Sequence, residues 1–111
     1  MAGINLAQKK CVPCEGGTPP LKREEAERLL PQVPGWELSA NAGKISRLFI
    51  FKDFKEAMRF VNKTAEIAET EGHHPSIEIV WNKVTLTLWT HAISGLSEND
   101  FILAAKTNTL N

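Results

Sequence analysis

The sequence predicts an α+β fold: a four-stranded antiparallel sheet with helices packed on one face, in the order α-β-β-α-β-β-α. Three observations carry this. Two segments of alternating apolar and polar residues each break at a short turn, Asn41-Ala42-Gly43 in one and Asn82-Lys83 in the other. Between them, apolar residues recur at spacings of three and four from Phe54 to Ala68. Two further stretches with helical patterning flank the hairpins.

Residues 1–20 contain Gly16-Gly17 and Pro19-Pro20 and read as an N-terminal arm, leaving 21–111 as a single domain. Leu21 to Leu30 sets Ala26, Leu29 and Leu30 among charged residues, a short one-sided helix. Thr18 or Pro19-Pro20 can start it, and Pro31 and Pro34-Gly35 stop it. Trp36 to Ala40 and Lys44 to Lys52 form the first hairpin. Asp53 opens the long helix, with Glu56 placed to complete a capping box. Phe54, Met58, Val61, Ala65 and Ala68 line its apolar face, widened by Ala57, Phe60 and Ile67. That helix ends near Gly72, before Pro75. Ile77 to Trp81 and Val84 to Thr90 form the second hairpin, with Val84, Leu86 and Leu88 on one face. Asn82 is the residue expected to take the positive φ of its turn. Ser97 caps the last helix, with Asp100 at the third helical position and Leu96 and Phe101 placed as a hydrophobic staple.

The composition narrows the function classes. The chain has 111 residues, 42% apolar and 23% charged, ordinary values for one globular domain. Lys plus Arg equals Asp plus Glu at 13 each, which argues against bulk attraction to nucleic acid or an anionic membrane. No apolar run approaches a membrane span, and residues 1–10 lack the apolar stretch of a signal peptide. The expected compartment is the cytoplasm, or an organelle where a transit peptide has been removed. Cys11 and Cys14 form one C-x-x-C, without the second cysteine pair of a structural zinc site. An ordered or frayed arm, a disulfide and a metal site all remain readings of it.

All three histidines fall within 19 residues: His73, His74 and His91. If the second hairpin turns about Asn82-Lys83, His91 lies opposite His74, so the hairpin itself gathers the histidines at one end of the sheet. Glu69 stands one helical turn before His73, where its carboxylate can reach and orient that imidazole. Histidine is the side chain best suited to exchange protons near neutrality. Paired histidines at a helix end also cap carbonyls or sit in solvent, and Asp100 on its own reads as a helix cap. Three histidines can in principle bind zinc, but adjacent ones rarely aim at one ion from regular structure; no metal is expected.

The whole constellation resembles the pterin-4a-carbinolamine dehydratase family. The resemblance runs from about Leu21 to Leu110. Its residues are Glu69-Thr70-Glu71-Gly72-His73-His74-Pro75, then Trp81, His91 and Asp100 at the family's spacings. Trp81-Asn82-Lys83-Val84 and Ser94-Gly95-Leu96-Ser97 also look like the family, and the Cys11–Cys14 arm looks like an extension of some microbial and plant members.

The resemblance implies dehydration of 4a-hydroxytetrahydropterin to quinonoid dihydropterin in tetrahydropterin recycling, without metal or organic cofactor. It implies His73 and His74 as the essential pair and His91 as a third catalytic histidine. Glu69 would orient a histidine, Pro75 and Thr90 would shape the pocket, and Trp36 would give the ring an apolar wall. It also implies a homodimer or homotetramer joined through sheet edges and helices. Two other readings stay open: a dimerisation or assembly module, and a role in another pterin pathway such as molybdenum cofactor metabolism.

Overall fold

The computed structural model describes residues 5–12 and 19–110. The arm begins with a 3₁₀ turn at Leu6–Gln8, whose N-terminus is capped by Asn5. Three helices follow the expected order: α1 (Arg23–Leu29), α2 (Phe54–Glu71) and α3 (Glu98–Asn108). The strands are β1 (Glu37–Leu38), β2 (Ile45–Ile50), β3 (Ser76–Val80) and β4 (Lys83–Leu88). They form one antiparallel sheet in the order β1-β2-β4-β3. The α+β arrangement is therefore as the sequence predicts. The start expected for α1 at Thr18 lies outside the described residues; the helix begins after Lys22, whose backbone N–H donates to Glu25 Oε1.

Pairing puts Val84, Leu86 and Leu88 on the same face as Phe49, Arg47 and Ile45, and the apolar members of this face are buried. Phe49 packs against Phe60 of α2 with ring centroids 4.5 Å apart and the rings tilted by 38°, so the sheet's inner face and α2 share one aromatic core. Asp53 caps α2 by accepting from the Glu56 N–H at 2.9 Å. The buried stripe of α2 is Ala57, Phe60, Val61, Thr64 and Ala68. It is rotated from the expected one, because Phe54 and Ala65 face solvent. A polar Thr64 takes a core position that the apolar periodicity could not mark.

The second hairpin differs in register. Val80 pairs with Lys83 and Ser76 with Thr87, so the two-residue turn is Trp81-Asn82. Trp81 carries the positive φ, at 49°. Asn82 is committed elsewhere: its side chain donates to Phe51 O at 2.9 Å and its carbonyl accepts from Phe51 N. The shift is two residues, so each side chain keeps its expected face. It does change which residues meet at the sheet end: extended outward, this register sets His73 against Thr90, and His74 is not opposite His91.

Helix α3 is buried almost all round, from Asn99 through Ala105. The arm covers it, with Leu6 joining the main core cluster. Gly95 is needed where the chain crosses itself, since a Cβ there would stand 2.6 Å from the Pro20 ring. Among the described residues, no helix is long and apolar enough to cross a membrane.

Candidate functional site

The end of α2 builds the site's centre. Gly72 closes the helix in the left-handed conformation, φ 66°, and its N–H donates back to the last turn. The chain therefore leaves the helix axis at Gly72, and His73 and His74 stand beyond it, just before β3. Across the sheet end, Thr90 forms an isolated bridge with Gly95, and His91 opens a 3₁₀ turn, His91–Ile93.

Asp100 lies at the centre of these elements, fully buried. Its Oδ1 is 2.5 Å from His73 Nε2, and its Oδ2 accepts from Thr90 Oγ1 at 2.9 Å and from the Ser97 N–H at 3.0 Å. One carboxylate thus caps α3, ties down the end of β4 and holds the His73 ring. A carboxylate on Nε2 keeps the proton on that nitrogen and leaves Nδ1 as the free nitrogen of the neutral ring. His73 keeps only 11% of its side chain exposed.

Glu69 does not reach His73 as the helical spacing suggests. Its Oε1 is 2.7 Å from His74 Nε2, in a pair that is largely exposed. The reason is the break at Gly72: His73 is off the helix, and the rule for residues four apart no longer applies.

His73, His74, Thr90 and His91 share one pocket of about 510 Å³. This is within the size range of small-molecule sites. The His91 ring also lies 4.5 Å from the Trp89 ring, which in turn carries Lys44 Nζ over its face. Pro75 is half-buried beside the site without lining this pocket. Trp36 corrects the expectation of an apolar wall. It is 4% exposed in the core, edge-on to Phe49, with Nε1 donating to Asn108 Oδ1 at 2.9 Å. Its large surface is used to join β2 to α3, away from the histidines.

The pocket gains residues that the sequence did not place beside the histidines: Cys11, Val12, Glu71 and Asn99. The arm reaches the histidines because Glu71 of α2 and Asn99 of α3 grip its backbone, contacts that no local pattern in the sequence marks. Burial, and then the nearby Glu71 carboxylate, push the Cys11 thiol from an ordinary 9.0 up to about 12. Cys11 is thus a neutral thiol at physiological pH, lying 3.6 Å from the Asn99 carbonyl oxygen. Cys14, and with it any pairing inside the C-x-x-C, lies outside the described residues. Among the described residues, no group of three His, Cys, Asp or Glu side chains is placed to hold a metal ion.

Comparison with known proteins adds the decisive finding. Residues 19–110 match the family described as pterin 4 alpha carbinolamine dehydratase. The chain belongs to this family. A protein of Rubrobacter xylanophilus is 50% identical over 105 residues, covering 95% of this chain and 97% of its own. One of Methylococcus capsulatus is 51% identical over 110 residues, covering 99% and 96%. Both carry names that assign them provisionally as pterin-4-alpha-carbinolamine dehydratases. A crystal structure from Brucella melitensis, titled a transcriptional coactivator/pterin dehydratase, superposes with a TM-score of 0.78 at 35% identity. It covers 82% of this chain and 97% of its own. Family and relatives together support pterin-4a-carbinolamine dehydratase activity.

Proposed function

We propose that this dehydratase removes water from 4a-hydroxytetrahydropterin by histidine acid–base catalysis. The observation that carries the reading is the fully buried Asp100 fixing the His73 ring at a pocket shared with His74 and His91.

The reaction breaks the C4a–O bond, removes the proton from the adjacent ring nitrogen and forms a C–N double bond, releasing water and quinonoid dihydropterin. It needs one proton delivered to the leaving hydroxyl and one taken from nitrogen. A neutral His73 with its proton held on Nε2 by Asp100 offers Nδ1 as the base. His74 and His91, both exposed to the pocket, are placed to supply the acid and to polarise the ring. Such proton transfer contributes about 10²–10⁴ in rate. Thr90, tied to Asp100, keeps the pocket floor in register with His73. In the cell this activity would recycle tetrahydropterin in the cytoplasm.

The Brucella protein's title also names a transcriptional coactivator. Capping α3 and tying β4 occupy only Oδ2 of Asp100, and Oδ1 is left to hold the His73 ring at the pocket, which favours catalysis over an assembly role alone. Replacing His73 and His74 together with Ala should remove most dehydration of 4a-hydroxytetrahydropterin, followed spectroscopically, while circular dichroism stays unchanged. Undiminished activity in the double variant would sink the assignment.

A further inference from the structure

The described part of the arm is held by more groups than a frayed terminus needs. Lys9 Nζ pairs with Glu98 at 2.9 Å, and Lys106 Nζ donates to Ala7 O at 2.8 Å. Glu71 Oε1 accepts from the Cys11 N–H at 2.8 Å. Asn99, 5% exposed, holds Val12 from both sides of its peptide: Oδ1 accepts from the Val12 N–H at 3.0 Å and Nδ2 donates to the Val12 carbonyl at 2.5 Å. The last two grips use buried or nearly buried polar side chains, which are costly to place unless they are satisfied.

All of this order delivers one apolar side chain to an open position. Val12 is 64% exposed although its backbone is clamped, and it lines the histidine pocket. A bicyclic pterin has polar edges and apolar faces. The histidines and Thr90 can address edges, but a face needs an apolar wall, and Trp36 is buried elsewhere.

We propose that Val12 is a substrate-binding residue, an apolar wall for the pterin ring, and that Asn99 is the positioning residue that presents it. The proposal rests on the dehydratase reading of this pocket and adds the arm to it. Val12 takes no part in proton transfer, so it acts on binding and leaves the chemical step alone.

The test uses the full chain with Val12→Ala, Val12→Glu and Asn99→Ala. Two quantities are read: kcat and KM for 4a-hydroxytetrahydropterin, and Kd for 7,8-dihydrobiopterin by fluorescence quenching. Val12→Glu should raise KM and Kd roughly tenfold, Val12→Ala less, and both should keep kcat within about twofold. Because Val12 is exposed, neither substitution threatens the fold. Asn99→Ala should give the same split and also speed alkylation of the Cys11 thiol, as the released arm uncovers it. An active wild type whose Val12→Glu variant keeps its KM and Kd overturns the proposal and leaves the dehydratase reading intact. Faster Cys11 alkylation in Asn99→Ala with KM unchanged overturns it equally. A wild type that neither dehydrates the carbinolamine nor binds dihydrobiopterin removes the functional reading, and this proposal with it.

Discussion

Asp100 accepts from Thr90, Ser97 and the His73 ring while fully buried, so its substitution should separate chemistry from folding. Asn keeps the size but turns one acceptor oxygen into a donor that faces other donors. We expect Asp100→Asn to lower kcat by about 10²–10⁴, as the His73 tautomer is no longer fixed. It should also lower folding stability by roughly 1–3 kcal/mol for the unmatched buried group. A stable variant of unchanged kcat would show that His73 needs no orienting carboxylate. Cys11 gives a pH prediction. Its folded value, about 12, lies above the ordinary 9.0, so the thiol form is the one the docked arm favours. That contribution is complete below pH 9 and is lost as pH rises from 9 towards 12. Alkylation of Cys11 by iodoacetamide should thus be slow at pH 8 and accelerate sharply only above pH 9. Brisk reaction at pH 8 would mean that the arm is not docked as described.

At the scale of the elements, α2 and the second hairpin show how tertiary demands adjust a pattern. The stripe of α2 includes Thr64, fully buried, whose Oγ1 finds no hydrogen-bond partner among the described residues. Val has the same shape without the hydroxyl. Thr64→Val should therefore stabilise the protein by about 1 kcal/mol, seen as a rise in Tm of about 4–8 °C. A fall in Tm would mean that the hydroxyl is satisfied in solution. The existence, order and type of α1 to α3 and β1 to β4 were legible from local period and punctuation, with Asp53 and Ser97 opening the two longer helices and Gly72 and Pro75 ending α2. The turn of the second hairpin was not. Trp81 carries the positive φ because Asn82 is bonded to Phe51 on β2, and a bond to another strand leaves no trace in local sequence.

For the whole molecule, the outer face of the sheet is the unfinished surface. Leu48, Ile50 and Val80 point outward and are more than half exposed, and Trp81 is exposed at the turn beside them. Strand β3 also forms an edge of the sheet, with backbone groups free to pair. Apolar residues gathered in this way mark an association surface. We expect light scattering to give a mass well above the 12.3 kDa of one chain. Ile50→Lys with Val80→Lys should return it towards the monomer. A wild type of monomer mass would mean that these residues are simply tolerated in water.

By itself the sequence determined the α+β fold, the inward face of the last strand, with Val84, Leu86 and Leu88, and the gathering of His73, His74 and His91 at one end of the sheet. These follow from local periodicity, capping and turn chemistry, which neighbouring residues settle among themselves. Only the tertiary structure decided which carboxylate holds which histidine: Asp100 with His73, and Glu69 with His74. It also sent Trp36 to the core and brought the arm to the pocket through Glu71 and Asn99. Those pairings join residues up to 87 positions apart. They are chosen by where the helix breaks at Gly72 and by which buried polar groups must be satisfied, and both conditions exist only once the chain has packed.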